Sequence, residues 1–118
     1  MKWLKISTST ELVRVQVDDI AFIAADGNYS DVYLTNGNPH KMTFKLHFFD
    51  ETLQQLADNM FVRVGKSLIV NRHYVYIINL VSQELVLSGN CLKADFKLKA
   101  SKEALKQLKA LMETEEGK

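Results

Sequence analysis

The chain has 118 residues, 47% apolar and 25% charged, with one cysteine and a net charge of +1. This is the composition of one ordinary soluble domain, large enough to bury a core without staples. It excludes an internal disulfide, and the longest apolar run, Ile20 to Ala25, is far too short to cross a bilayer. Met1-Lys2-Trp3-Leu4-Lys5-Ile6 lacks the apolar stretch of a signal peptide, so a cytoplasmic protein with no membrane partner is expected.

The small net charge conceals a split. Residues 1–60 hold 5 Lys/Arg against 8 Asp/Glu, residues 61–112 hold 9 against 3, and the last six hold 1 against 3. A basic second half suits a polyanion-facing surface. Lys102, Lys106 and Lys109 fit the simpler role of solvating a closing helix.

Lys2 to Ile6 reads as a short strand. Leu12 to Val17 alternates, with Val13, Val15 and Val17 on one face, as in a half-buried strand. Ile20 to Ala25 is apolar throughout and is expected to be central. Asp26-Gly27-Asn28 marks a turn. Ser30 to Thr35 and Lys41 to Leu46 read as a hairpin pair around Asn36-Gly37-Asn38-Pro39. Phe49, Leu53, Leu56 and Ala57 then fall on one face of a short helix, with Asp50 and Glu51 near its start.

Phe61–Val64 and Leu68–Val70 are two apolar runs around a Gly65-Lys66-Ser67 turn, followed by Asn71-Arg72-His73. Tyr74–Val81 and Glu84–Leu87 form another hairpin around Ser82-Gln83, and Cys91–Lys99 is a last strand region. Ser101 is suited to cap a closing helix whose apolar stripe is Ala104, Leu105, Leu108, Leu111 and Met112. The fold class is therefore mostly β, with one short internal helix and one C-terminal helix.

Gly65-Lys66-Ser67 is not a nucleotide loop. Position 60 is Met60 where that motif needs glycine, and a strand-type run follows where it needs a helix. His40 and His47 have no third ligand nearby, so no metal or cofactor is assigned. No nucleophile stands with a base, which leaves little for an enzyme. Donors at both ends of a rigid strand suit phosphate oxygens and base edges instead.

Two blocks carry a resemblance. Ile20 to Leu34 reads Ile-Ala-Phe-Ile-Ala-Ala-Asp-Gly-Asn-Tyr-Ser-Asp-Val-Tyr-Leu, and Phe61 to Arg72 reads Phe-Val-Arg-Val-Gly-Lys-Ser-Leu-Ile-Val-Asn-Arg. In this order, with an amphipathic helix between, they resemble the LytTR DNA-binding domain of bacterial transcription regulators over roughly Leu12 to Lys99. The resemblance implies a stack of small antiparallel sheets that contacts double-stranded DNA through loops, usually at direct repeats. It implies contacts from Asn28, Tyr29 and Ser30, from Lys66 and Ser67, and from Asn71, Arg72 and His73. A third region spans Lys93 to Lys99, with Lys93 and Lys97 as its cations. The family's His-Arg-Ser turn is Gly65-Lys66-Ser67 here, and its Ser-Arg pair in the third region is read against Asp95-Phe96-Lys97.

Simpler roles stand beside these. Asn28 suits a left-handed turn position as well as a DNA contact. Tyr29 and Tyr33 suit packing, and Asn71 suits closing its strand. The domain is expected over residues 1–112, with its core at 12–99, the helix at about 101–112 and a frayed acidic tail at 113–118. It reads as a stand-alone regulator, as a homodimer or under a separate sensory partner protein. An interaction module that titrates another regulator is the alternative. The helix stripe reads as core before it reads as a dimer face.

Overall fold

The computed structural model describes residues 2–57 and 59–115, the last without its side chain. Ten strands and two helices follow in order: β1 (Trp3–Ser7), β2 (Leu12–Gln16), β3 (Ile20–Asp26), β4 (Tyr29–Leu34), β5 (Pro39–Met42), α1 (Leu46–Leu56), β6 (Phe61–Val64), β7 (Leu68–Asn71), β8 (Val75–Asn79), β9 (Glu84–Leu87), β10 (Phe96–Lys99) and α2 (Lys102–Glu115). They make three antiparallel sheets. A five-stranded sheet ordered β5-β4-β3-β7-β6 lies between a β1-β2 ribbon and a β10-β9-β8 sheet.

The central sheet is buried on both faces, which is why Ile20 to Ala25 carries no polar residue. On one face Ile20, Ile23, Phe61 and Ile69 pack with Leu4 and Ile6 of β1 and with Leu46, Phe49 and Leu53 of α1. On the other, Phe22, Val64, Leu68 and Val70 pack with Leu85 and Leu87 of β9 and Ala104, Leu105 and Leu108 of α2. A bulge between Ile20 and Phe22 shifts the alternation, so Ile20 and Ile23 share a face. The α2 stripe is thus core through Leu108, with Met112 packed against it.

Four expectations change. The strand expected over Lys41–Leu46 ends at Met42, because Leu46 opens α1. Phe44, Phe48 and Phe49 form an aromatic cluster, with Phe44 stacked on Phe48 at 4.4 Å, and this packing starts the helix early. Asp50 and Glu51 therefore fall past its first turn, where they pair with Arg63 and His47 rather than with the helix dipole. Only Phe96–Lys99 of Cys91–Lys99 is strand, since Lys93 turns aside to donate its N–H to the Thr35 carbonyl at 2.9 Å. The closing helix runs past Met112 to Glu115, with a Lys109–Glu113 pair at 2.7 Å on its last turns. The remainder of the expected tail, residues 116–118, lies outside the described residues.

Candidate nucleic-acid interface

Strand register decides which candidates stand together. β3 and β7 run antiparallel with Ala24 opposite Leu68, and the Ala25 N–H donates to the Ser67 carbonyl at 2.8 Å. The Gly27-Asn28 turn between β3 and β4 is therefore neighbour to the Gly65–Ser67 turn between β6 and β7. Asn28, Tyr29, Lys66 and Ser67 are all exposed at this end of the sheet.

The Gly65–Ser67 turn is held firmly. Gly65 takes φ +65, a left-handed conformation open to glycine, and a Cβ there would come within 3.4 Å of Ala104 Cβ. Arg63 braces it from β6. One guanidinium nitrogen donates to the Lys66 carbonyl at 3.2 Å, while another lies 3.6 Å from Asp50. The Lys66 side chain thus projects from a fixed turn.

A third segment reaches the same place. Lys99, Ala100 and Ser101 join β10 to α2 and line, with Val64–Leu68, a groove of about 460 Å³. Ser101 caps α2 by accepting from the Ala104 N–H at 3.1 Å, and Lys102 follows as the exposed first residue of the helix. The Lys99 ammonium lies 3.5 Å from Glu84 and donates to the Ser82 carbonyl at 3.2 Å. The sequence named neither Ser101 nor Lys102 as a candidate, because the first read as a cap and the second as a solvating lysine; the structure brings Ser101 to the groove. Their signal is a hydroxyl followed by a cation at a helix start. That is the order the resemblance places in the third region, six residues beyond Asp95-Phe96.

Acid also stands at this end. Lys41 pairs with Asp26 at 2.6 Å and with Asp31 at 3.1 Å. Hydrogen bonds to these two carboxylates raise the Lys41 pKa above that of an ordinary lysine. Its ammonium lies 5.7 Å from the centre of the Tyr29 ring. Lys41 is thus a neutralised cation, whereas exposed Lys66 shares its groove with Lys99 and with the acid Glu103.

Two candidates are corrected by burial. Ser30 has no exposed surface, and its hydroxyl donates to the Phe44 carbonyl at 2.7 Å, tying β4 to the entry of α1. Asn71 is 1% exposed. Its amide nitrogen donates to the Ile20 carbonyl at 3.0 Å, and its oxygen accepts from the His73 N–H at 3.0 Å. Both side chains are internal connectors, out of reach of a surface ligand.

The remaining candidates lie elsewhere. Arg72 and His73 follow β7 at the end away from Lys66, about 13 Å along a four-residue strand. Arg72 donates from its guanidinium to the Asn59 carbonyl, holding the chain between α1 and β6. Exposed Lys93 is tied to Thr35 at that far end. Lys97 is exposed on β10 between the inward-packed Phe96 and Leu98. Among the described residues no group of three or more His, Cys, Asp or Glu is placed to hold a metal ion. No helix among them is long and apolar enough to cross a membrane.

Exposed ammonium, hydroxyl and amide groups on rigid turns are the chemistry of phosphate and base-edge contact. Among solved structures, the chain is similar to the LytTr DNA-binding domain of a Bacillus cereus protein described as a methyl-accepting/DNA response regulator. The match has a TM-score of 0.69 and 16% identity and covers 95% of this chain and 97% of that one. No curated protein matches the chain. The sequence profile of the LytTr DNA-binding domain matches residues 10–113, nearly the whole length. The chain therefore belongs to the LytTR family of DNA-binding domains, which is not a family of enzymes.

Proposed function

We propose that this protein is a transcription regulator that binds duplex DNA through the turn end of its central sheet, acting in the cytoplasm at spaced direct repeats. The observation that carries the reading is convergence. Residues near positions 28, 66 and 101 are far apart in the chain, yet Asn28, Tyr29, Lys66, Ser67 and Ser101 meet on one end as exposed polar groups. Lys66 contacts phosphate, while Asn28 and Ser67 face base edges. With lysine in place of the family's arginine at the β6-β7 turn, this contact acts as a point charge without a fork. Readout then rests more on the β3-β4 turn. His73, Arg72 and Lys93 stand outside this footprint.

Fluorescence anisotropy with labelled duplexes carrying spaced direct repeats, titrated across salt, tests the reading. Saturable binding that weakens steeply with salt and still discriminates among duplexes supports it. No binding at low salt sinks it and favours an interaction module that titrates another regulator.

A further inference from the structure

The groove beside Lys66 has a second wall that the proposed function leaves unused. Glu103 and Gln107 stand one turn apart on the same face of α2, with Ala104 beside them, and all three line the groove together with Val64–Leu68. Ala104 is buried, and a Cβ on Gly65 would come within 3.4 Å of its own, so the helix and the β6-β7 turn meet there closely. Glu103 and Gln107 are exposed. The groove thus has a wall bearing Lys66 and Ser67 and a wall bearing a carboxylate and an amide.

The fold makes no use of this carboxylate. Ser101 already caps α2 by accepting from the Ala104 N–H at 3.1 Å. The other carboxylates beside the site are held by cations: Asp26 and Asp31 by Lys41, Asp50 by Arg63 and Glu84 by Lys99. Among the described residues Glu103 has no hydrogen bond or ion pair.

DNA leaves such a group few choices. An ionised carboxylate only accepts hydrogen bonds, and phosphates repel it. In the major groove its favourable partners are amino groups. Adenine sets N6 beside its own N7 acceptor, whereas cytosine offers N4 with no acceptor of its own next to it.

We infer that Glu103 is a specificity-determining residue that selects cytosine by accepting from its N4 amino group. This assignment rests on the proposed DNA reading and deepens it. Lys66 draws phosphate to one wall of the groove, and Glu103 favours a cytosine edge at the other while opposing sequences that present only acceptors.

The test is selection of preferred duplexes from a randomised pool by the wild type, Glu103→Ala and Glu103→Gln. Anisotropy titrations on the selected duplex and its single-base variants follow, and thermal melts check that each variant folds. The wild type is expected to need cytosine at one position and to lose roughly tenfold in affinity when it is replaced. Glu103→Ala is expected to lose that discrimination and to bind the other duplexes several-fold more tightly, because a repelled charge is gone. Glu103→Gln is expected to move the preference at that position toward adenine, whose donor and acceptor match a glutamine amide. Unchanged preference in Glu103→Ala overturns the inference and leaves the proposed function standing, even if the melting temperature falls as loss of a helix-dipole contact would make it. So does equal tightening on every duplex, the sign of charge alone. A wild type that binds no duplex overturns the proposed function and takes this inference with it.

Discussion

The two ends of the central sheet carry the same kinds of side chain and use them differently. At the turn end, Lys66 and Ser67 leave the sheet into solvent from a turn whose own bonds are made by backbone and by Arg63. At the far end, Asn71 and Tyr74 turn inward. Asn71 joins β7 to Ile20, and the Tyr74 hydroxyl donates to the Asp18 carbonyl at 2.6 Å. The difference shows that a polar residue beside a strand is available to a ligand only when the backbone around it needs nothing from it. Buried carbonyls with no ladder partner claim the nearest amide or hydroxyl.

Asn71→Ala is the largest expected break of this contrast. It strands the Ile20 carbonyl and the His73 N–H and leaves a cavity, so denaturant unfolding should show a loss of about 2–4 kcal/mol. The folded fraction should bind DNA as the wild type does. A stable Asn71→Ala protein with altered sequence preference would return Asn71 to the interface.

Lys66→Ala and Arg72→Ala sharpen the comparison next. Lys66→Ala should weaken binding to all duplexes several-fold and lower the salt slope by about 1, with stability nearly unchanged. Arg72→Ala should do the reverse: it frees the loop at Asn59 and lowers the melting temperature, while the salt slope stays as it was. Equal salt slopes for wild type and Lys66→Ala would contradict the assignment of the turn end.

Tyr74 gives the far end a pH signature. Burial, aided by the negative charges of Cys91 and Asp18, pushes its phenol up to about 12. Between about pH 10 and that value the folded protein keeps a proton that the unfolded chain has lost. Stability from this group is therefore fully present below about pH 10 and falls as pH rises through the window. Unfolding titrations should show the fall, and Tyr74→Phe should flatten it. The smallest effect is expected from Ser30→Ala, about 1 kcal/mol for the bond to Phe44, again without change in DNA affinity.

Much of this was legible in the residues. The Ile20–Ala25 run, the alternation in Leu12–Val17 and the turns at Gly27, Gly37 and Gly65 encode the strands through side-chain period and backbone freedom. The entry to α1 was not legible, because Phe44 and Leu46 satisfy both a strand alternation and a helix start. The aromatic cluster with Phe48 and Phe49 chose between them.

The sequence by itself determined the mostly-β class, the order of the strands, the basic second half and the family. These are local or compositional properties, set by period, turn chemistry and charge. Only the tertiary structure decided which polar residues face solvent. Ser67, just before β7, and Asn71, at its end, stand four apart with similar hydrogen-bonding chemistry. The antiparallel register of β3 on β7 places one at an open turn and the other against the carbonyl of Ile20. The same docking brings Ser101 to Lys66 across more than thirty residues of chain, a proximity fixed by long-range packing of α2 on the sheet.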